Sequence, residues 1–286
     1  MRIADVLRLL VLAAIWGGSF MLMRVLAPAL GPTATAGLRL ALGGAALLAY
    51  FRVIGFDAHW RRDWRHHLLV GAINSALPFW LYGFAALHLP AGYSAILNSS
   101  APLFGALCAA LWLGERLDRR RLIGIALGAA GVALVARTGA SVADDPLLPL
   151  AVLACLAAAS CYALAGVYIR RHAAGVPAMA FAGCSQMLGG ALLLPLVPLA
   201  PPPGPITAGV AGNLLALALL CSAVAYLLYF RLLADLGPTR ALTVTFLIPV
   251  FGMLWGALFL GEAITPAMLA GCALVIGGTT RVLRRS

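Results

Sequence analysis

One stretch of this chain occurs twice, first as residues 102–135 and again as residues 249–282. At a constant offset of 147, Pro102 corresponds to Pro249 and Glu115 to Glu262. Both copies are almost entirely apolar. An apolar internal duplication is typical of membrane transporters and is not expected of a soluble enzyme.

The composition requires lipid as the solvent for most of the chain. It is 63% hydrophobic and 10% charged, whereas a soluble domain is about 45–50% apolar and ~25% charged. Apolar segments in lipid must be helical, because a lone strand would leave its backbone groups without partners. Ten apolar runs are present, at roughly 5–26, 33–51, 67–88, 92–113, 120–137, 147–169, 177–199, 209–232, 239–260 and 264–282.

The predicted fold class is therefore an all-α integral membrane protein with ten transmembrane helices. They form two five-helix repeats, residues 1–140 and 147–286. Five spans per half is an odd number, so the second half enters the membrane from the opposite side. The two halves are inverted repeats, an arrangement that permits alternating access to a site near the midplane.

Arginines predict the orientation. All twenty basic residues are Arg, and an N-terminus inside places all but Arg24, Arg39 and Arg137 in cytoplasmic segments. The positive-inside rule then predicts a multi-pass protein of the bacterial-type cytoplasmic (inner) membrane, with both termini cytoplasmic. The arginine clusters lie between apolar runs without interleaved aromatic residues, so no nucleic-acid partner is expected.

The first twenty residues have the pattern of a signal peptide, but a retained first span is favoured. Residues 150–168 repeat the pattern within the second half, with Tyr162 at the position of Trp16. Six cysteines lie inside apolar runs without any C-x-x-C pair. No metal, no other cofactor and no catalytic residue is expected. The expected partners are membrane lipid and a small-molecule substrate. The sequence leaves the oligomeric state open and is compatible with a monomer.

The ten spans, the two halves, the paired L-G-E motifs at 113–115 and 260–262, and Leu38-Arg39-Leu40 resemble the drug/metabolite transporter (DMT) superfamily, EamA type. The resemblance covers nearly the whole chain, and within the superfamily it looks most like the YddG-type exporters of amino acids and aromatic metabolites. It implies a ten-helix fold, a central cavity lined by spans 1, 3, 4, 6, 8 and 9, and export of small metabolites. It does not imply one substrate.

Polar and aromatic residues on those lining spans are the candidates for the cavity. The predicted substrate-binding residues are Trp16, Ser19, Asn74, Pro78, Tyr82, Asn98, Tyr162, Tyr226 and Thr245. Neutral amides and hydroxyls with aromatic walls suit a zwitterionic or apolar metabolite better than a phosphorylated one. Pro102 and Pro249 match across the repeat and are predicted hinges, because proline removes a helix hydrogen bond.

Three charged residues in or beside the spans have two interpretations each. Arg39 could bind a substrate carboxylate, or hold helix ends through backbone carbonyls; the structural role is favoured because its counterpart, Ser185, is uncharged. Glu115 and Glu262 could be ligands for an ion or substrate. We favour carboxylates that cap the amides at the start of the next helix.

All nine carboxylates lie near run ends or in loops: Asp5, Asp57, Asp63, Glu115, Asp118, Asp144, Asp145, Asp235 and Glu262. Proton-coupled and sodium-coupled carriers usually keep a buried carboxylate in mid-membrane, so facilitated transport is predicted. The predicted function is export of small metabolites, in particular neutral and aromatic amino acids, by alternating access. The alternatives are a carrier of another metabolite or drug, with or without proton coupling, and, more remotely, an intramembrane enzyme or a channel.

Overall fold

The structure is a computed structural model that describes residues 2–139 and 145–283. Asp144 and most of the connector between the predicted halves lie outside these ranges. Within them all regular secondary structure is helical. The long helices are α1 Ile3–Val53, α2 Trp60–His88, α3 Ala91–Leu113, α4 Arg119–Gly139, α5 Leu148–His172, α6 Ala178–Leu199, α7 Ala208–Leu236, α8 Val244–Leu260 and α9 Pro266–Leu283.

The chain is a multi-spanning membrane protein by the length and hydropathy of these helices. Seven of those in the described residues are long and apolar enough to cross a bilayer, and α8 is a shorter apolar helix of 17 residues. The 51 residues of α1 are about twice the length that one crossing needs. A break at Gly31, with φ 72° and ψ 162°, divides α1 into two arms. The break lies between the apolar runs 5–26 and 33–51, which the sequence separates into two spans.

Three helices contain π-helical turns, and two of these turns flank the centre of the bundle. The turn at Ala72–Ala76 in α2 comes directly before Pro78, which has no N–H for the carbonyl of Asn74. The turn at Ala216–Val224 in α7 spans the equivalent positions of the second half. Each turn widens its helix locally and contains a polar residue, Asn74 in α2 and Ser222 in α7.

The packing places α1 at the centre of the molecule. Its two arms contact α2, α6, α7 and α8, while α4 packs mainly against α9 and α5 packs against α2 and α3. The largest buried cluster joins the middle of α1 to α2, α3, α5 and α7, with Leu26, Leu97 and Leu217 fully enclosed. A cavity remains between these elements.

Candidate functional site

The candidate site is a cavity of about 680 Å³ enclosed by α1, α2, α3, α5, α7 and α8. Pockets of roughly 300–1,000 Å³ commonly hold small molecules. The cavity extends from Trp16 and Arg39 to Glu115, Arg121 and Arg170, whose side chains are partly exposed. We call these last three residues the mouth.

Eight of the nine predicted substrate-binding residues line this cavity: Trp16, Ser19, Asn74, Tyr82, Asn98, Tyr162, Tyr226 and Thr245. The structure brings them together from α1, α2, α3, α5, α7 and the start of α8. Pro78 is buried in the first turn after the π segment and is not a lining residue. Its ring shapes α2, while Asn74, one turn earlier, reaches the cavity.

Aromatic rings form one wall of the cavity. The Trp16 ring lies 5.9 Å from that of Tyr226 and 5.5 Å from that of Tyr229. Trp16 Nε1 donates to the carbonyl of Cys221 at 3.3 Å, which fixes the indole against α7. The Tyr82 ring stacks on that of Tyr162, with centroids 6.4 Å apart. Such contacts hold the rings in defined orientations along the cavity wall.

Neutral polar groups face the same space. The hydroxyl of Tyr82 donates to Asn98 Oδ1 at 2.9 Å. The amide nitrogen of Asn98 and the side chain of Asn74 make no hydrogen bond within the described part of the chain, so both can bind a ligand. Ser19 and Thr245 donate to helix carbonyls, of Trp16 at 2.6 Å and of Leu242 at 2.8 Å. Their hydroxyl oxygens remain acceptors.

Arg39 is the charged residue at the inner end of the cavity, and its exposure is 3%. Its Nε donates to Ser222 Oγ at 2.8 Å, and its Cζ lies 3.8 Å from the centroid of the Phe79 ring. In the described residues it has no carboxylate partner and no backbone carbonyl acceptor. The helix-end contacts expected of a structural Arg39 are therefore replaced by a hydroxyl and a ring.

The two motif glutamates follow glycines in the left-handed conformation. Gly114, with φ 70°, ends α3 and Gly261, with φ 66°, ends α8. Glu115 at the mouth pairs with Arg170 at 2.7 Å and with Arg121 at 3.1 Å. The hydrogen bond from Arg170 and the one from Arg121 hold the pKa of the Glu115 carboxyl below its usual value, against the opposing effect of burial.

Glu262 has different partners. Its Oε1 accepts from the backbone N–H of Ala91 at 2.9 Å, so it caps the start of α3. We expected both glutamates to cap the helix that follows them. Glu262 instead caps a helix of the other copy, and Glu115 forms ion pairs. The helices that follow them are capped by other side chains, since Asp118 accepts from the N–H of Arg121 at 2.7 Å and Thr265 from the N–H of Met268 at 3.2 Å.

The two predicted hinge prolines occupy different settings. Pro102 lines the cavity and follows a break in α3 at Ser99–Ser100, where the proline leaves the carbonyl of Asn98 without a donor. At the same break, the carbonyl of Ser99 accepts from Thr279 Oγ1 at 3.2 Å. Pro249 is buried within a continuous α8 and is not a lining residue.

Other lining residues were not predicted from the sequence. They are apolar or lie at the mouth, and include Phe20, Met23, Phe79, Arg121 and Arg170. An apolar residue in a span has no sequence signal that separates a cavity wall from a lipid contact. Arg121 and Arg170 had been assigned only to the positive-inside count.

Comparisons with known proteins agree on a family of membrane transporters. The profile of the EamA-like transporter family matches residues 5–137 and again residues 149–284. The chain is 30% identical to a "Probable terminal-alkyne amino-acid exporter" of Streptantibioticus cattleyicolor, over 100% of this chain and 96% of that protein. It is 27% identical to a "Probable amino-acid metabolite efflux pump" of Salmonella typhimurium, over 94% and 91% of the two chains.

A solved crystal structure has the same fold. It superposes on 98% of this chain and 96% of its own with a TM-score of 0.68, at 23% sequence identity. At that identity the likeness concerns the fold alone.

Proposed function

Because the chain belongs to the EamA-like transporter family of the drug/metabolite superfamily, we propose that it exports neutral and aromatic amino acids by alternating access. It is a membrane transporter and not an enzyme. The observation that supports this substrate class is the cavity, with its aromatic wall and the free amides of Asn74 and Asn98. The names of two relatives point to amino-acid compounds as well. The YddG-type likeness within the family stays a prediction.

Two inverted repeats can support alternating access by exchanging their conformations, and we take ten spans in two such halves as part of the proposal. Counting both arms of α1, and adding α4 and α8, brings the number of spans to ten. Contacts between helices support the pseudo-symmetry. A Cβ built at Gly44 would meet Met187 N at 2.5 Å, and one at Gly190 would meet Ala41 N at 2.7 Å. At an offset of 146, Gly44 corresponds to Gly190 and Ala41 to Met187. Exchanging the two halves therefore turns one contact into the other.

The same relation holds between α4 and α9. A Cβ at Gly124 would lie 2.7 Å from the carbonyl oxygen of Gly278, and one at Gly131 would lie 2.8 Å from that of Gly271. The offset of 147 turns one pair into the other. Both contacts support a two-fold axis through the bundle, in the membrane plane.

The two halves differ at the cavity, as a carrier open to one side requires. On the closed side a Cβ at Gly17 would lie 2.7 Å from Phe251 Cβ, and one at Gly252 would collide with Ala95. On the open side Gly105, the counterpart of Gly252, has no atom within 4 Å of such a Cβ. We infer that this conformer is open at the mouth, and that exchanging the contacts gives the other conformer.

The orientation belongs to the proposal too. The arginine distribution supports a mouth and two termini on the cytoplasmic side of a bacterial inner membrane, where this conformer would accept substrate for export. Transport is facilitative in the proposal, since the described carboxylates lie near helix ends or in loops. A proton gradient imposed at zero voltage should then leave the rate of substrate transport unchanged. A several-fold acceleration would mean that transport is coupled to protons and is not facilitative.

Counterflow in proteoliposomes tests the proposal. Labelled amino acids, offered one at a time, should be taken up faster when the same unlabelled compound is inside. Trp16→Ala and Asn98→Ala should lower that uptake about tenfold or more. Trp112→Ala and Asn213→Ala are matched controls, because Trp112 is half exposed and Asn213 lies outside the cavity lining. Uptake that internal unlabelled compound does not accelerate would indicate a channel. Chemical conversion of the labelled compound would indicate an enzyme.

A further inference from the structure

Arg39 is a buried cation whose described neighbours are all uncharged. Five N–H groups belong to a guanidinium. Here Nε donates to the Ser222 hydroxyl. Within the described residues Nη1 has the sulfur of Met23, a weak acceptor, as its hydrogen-bond partner at 3.6 Å. The Phe79 ring covers the guanidinium carbon. None of these neighbours carries a negative charge.

The described chain supplies no counter-ion for Arg39, since each of its carboxylates has another partner. Asp5, Asp63 and Asp235 pair with arginines, Asp57 and Asp145 with histidines, Glu115 with the mouth arginines, Asp118 with the N–H of Arg121, and Glu262 with the N–H of Ala91. The titratable groups around Arg39 are Cys221, Tyr162 and Tyr226, which are neutral at pH 7.

A structural arginine in the same helix shows the contrast. Arg24 donates from Nη1 to the carbonyl oxygen of Ala86 at 2.6 Å and so ties α1 to α2. Arg39 is more deeply buried, and among the described residues no carbonyl accepts from it. An unpaired buried cation is costly, and a ligand anion in the cavity would offset that cost.

We propose that Arg39 binds the carboxylate of the transported substrate, which makes a carboxylate the feature the site requires. The inference rests on the proposed amino-acid export and names the group that receives one end of the substrate. A guanidinium fork matches a carboxylate in shape and charge. The rings of Trp16, Tyr226 and Tyr229 line the same cavity and provide π faces for an ammonium group or an aromatic side chain.

The first experiment measures thermal unfolding of the purified full chain without ligand. Arg39→Met removes a charge that has no counter-ion, so its midpoint should stay within about 2 °C of the wild type or rise. Arg24→Met is the matched control and should unfold several degrees lower, because it loses a bond to the backbone. A fall for Arg39→Met as large as that for Arg24→Met would assign Arg39 a structural role and overturn the inference.

The second experiment adds ligands to the same samples. The probes are neutral L-amino acids, the matched carboxamides and decarboxylated amines, and 3-phenylpropionate. Compounds with a carboxylate should raise the midpoint of the wild type, whereas the carboxamides and amines should not. Arg39→Met should lose the response, and Arg39→Lys should keep part of it. An amine that stabilises as well as its amino acid would contradict the proposal.

The outcomes separate this inference from the proposed function. If 3-phenylpropionate stabilises the wild type and not Arg39→Met, while no amino acid does, Arg39 is a carboxylate site and amino-acid export is wrong. If Arg39→Met transports amino acids like the wild type, the function stands and the inference fails. If no carboxylate stabilises the wild type, the inference fails.

Discussion

Glu115 and Glu262 occupy the same place in two copies of one motif, yet their carboxylates have different partners. Glu115 binds two arginines at the mouth, and Glu262 binds the N–H of Ala91 on the closed side. The same motif therefore gives its glutamate different partners in the two copies. Two predictions belong to single residues.

The first concerns the pH dependence of Glu115. Its pKa is lowered in the folded state from an ordinary value of 4.5, so its stabilising effect is present above that value and is lost as pH falls through the lowered pKa. Glu115→Gln should lower the unfolding midpoint slightly between pH 7 and pH 5. Exposed ion pairs contribute about 0–1 kcal/mol each.

The difference between Glu115→Gln and the wild type should shrink below about pH 4.5. Thermal unfolding of both proteins over a pH series measures it. A difference that grew on acidification would contradict the assigned ion pairs.

The second concerns the hydrogen bond from Tyr82 to Asn98. Tyr82→Phe keeps the ring and removes the donor, so the free energy of unfolding should fall by about 1 kcal/mol. Counterflow should slow several-fold, because Asn98 loses the bond that orients its amide. Tyr50→Phe is the control, since Tyr50 is exposed and has no hydrogen bond within the described residues. Equal transport by both variants would mean that the hydrogen bond from Tyr82 to Asn98 is not needed for transport.

At the scale of elements, α3 and α8 are equivalent helices that pack differently. A Cβ at Gly252 of α8 would collide with Ala95, whereas the space beside Gly105 of α3 is open. The difference lies in how each helix meets its neighbours, because both end at a left-handed glycine.

This contrast gives the third prediction, on a pair of matched variants. Gly252→Val should destabilise the observed conformer by about 1–3 kcal/mol, the usual cost of overpacking. Gly105→Val should leave stability unchanged or higher, because a Cβ at Gly105 has no atom within 4 Å. It should nevertheless slow transport about tenfold or more, since α3 could no longer close on the cavity. Thermal unfolding and counterflow measure the two effects; full transport by Gly105→Val would argue against closure at this helix.

At the scale of the whole molecule, the proposed inverted symmetry predicts a contact that this conformer lacks. The contact of Ala95 with Gly252 on the closed side corresponds to one between Leu242 and Gly105 in the other conformer. Both of these residues line the open cavity.

The fourth prediction follows. Cysteines at 105 and 242, in a background with the six native cysteines replaced by serine or alanine, should cross-link slowly under mild oxidation and faster when substrate drives turnover. Cross-linking should stop transport, and reduction should restore it. If substrate did not change the rate at 105 and 242, the halves would not exchange contacts as proposed.

Much of this architecture could be predicted from the sequence because lipid imposes simple rules. Hydropathy and length identified the apolar helices, and the separate runs 5–26 and 33–51 correspond to the two arms of α1. The resemblance carried by the paired L-G-E motifs led to the family that the profile match confirms. Choosing polar and aromatic residues on lining spans placed eight of nine candidates at the cavity, and Pro78 failed because its effect is on the backbone.

What the sequence determined by itself was composition, periodicity and repetition, which fix helices, family and candidate residues. Only the tertiary structure decided which partners those residues have. Arg39 and Arg24 are both single arginines in an apolar helix. Nothing local reveals that Arg24 reaches a carbonyl, whereas Arg39 has a hydroxyl and a ring as neighbours and no carboxylate within residues 2–139 and 145–283. The two copies of the motif likewise meet different neighbours. The reason is physical: burial, charge pairing and cavity shape arise from contacts between helices far apart in the chain, and a repeated local pattern can pack in two ways.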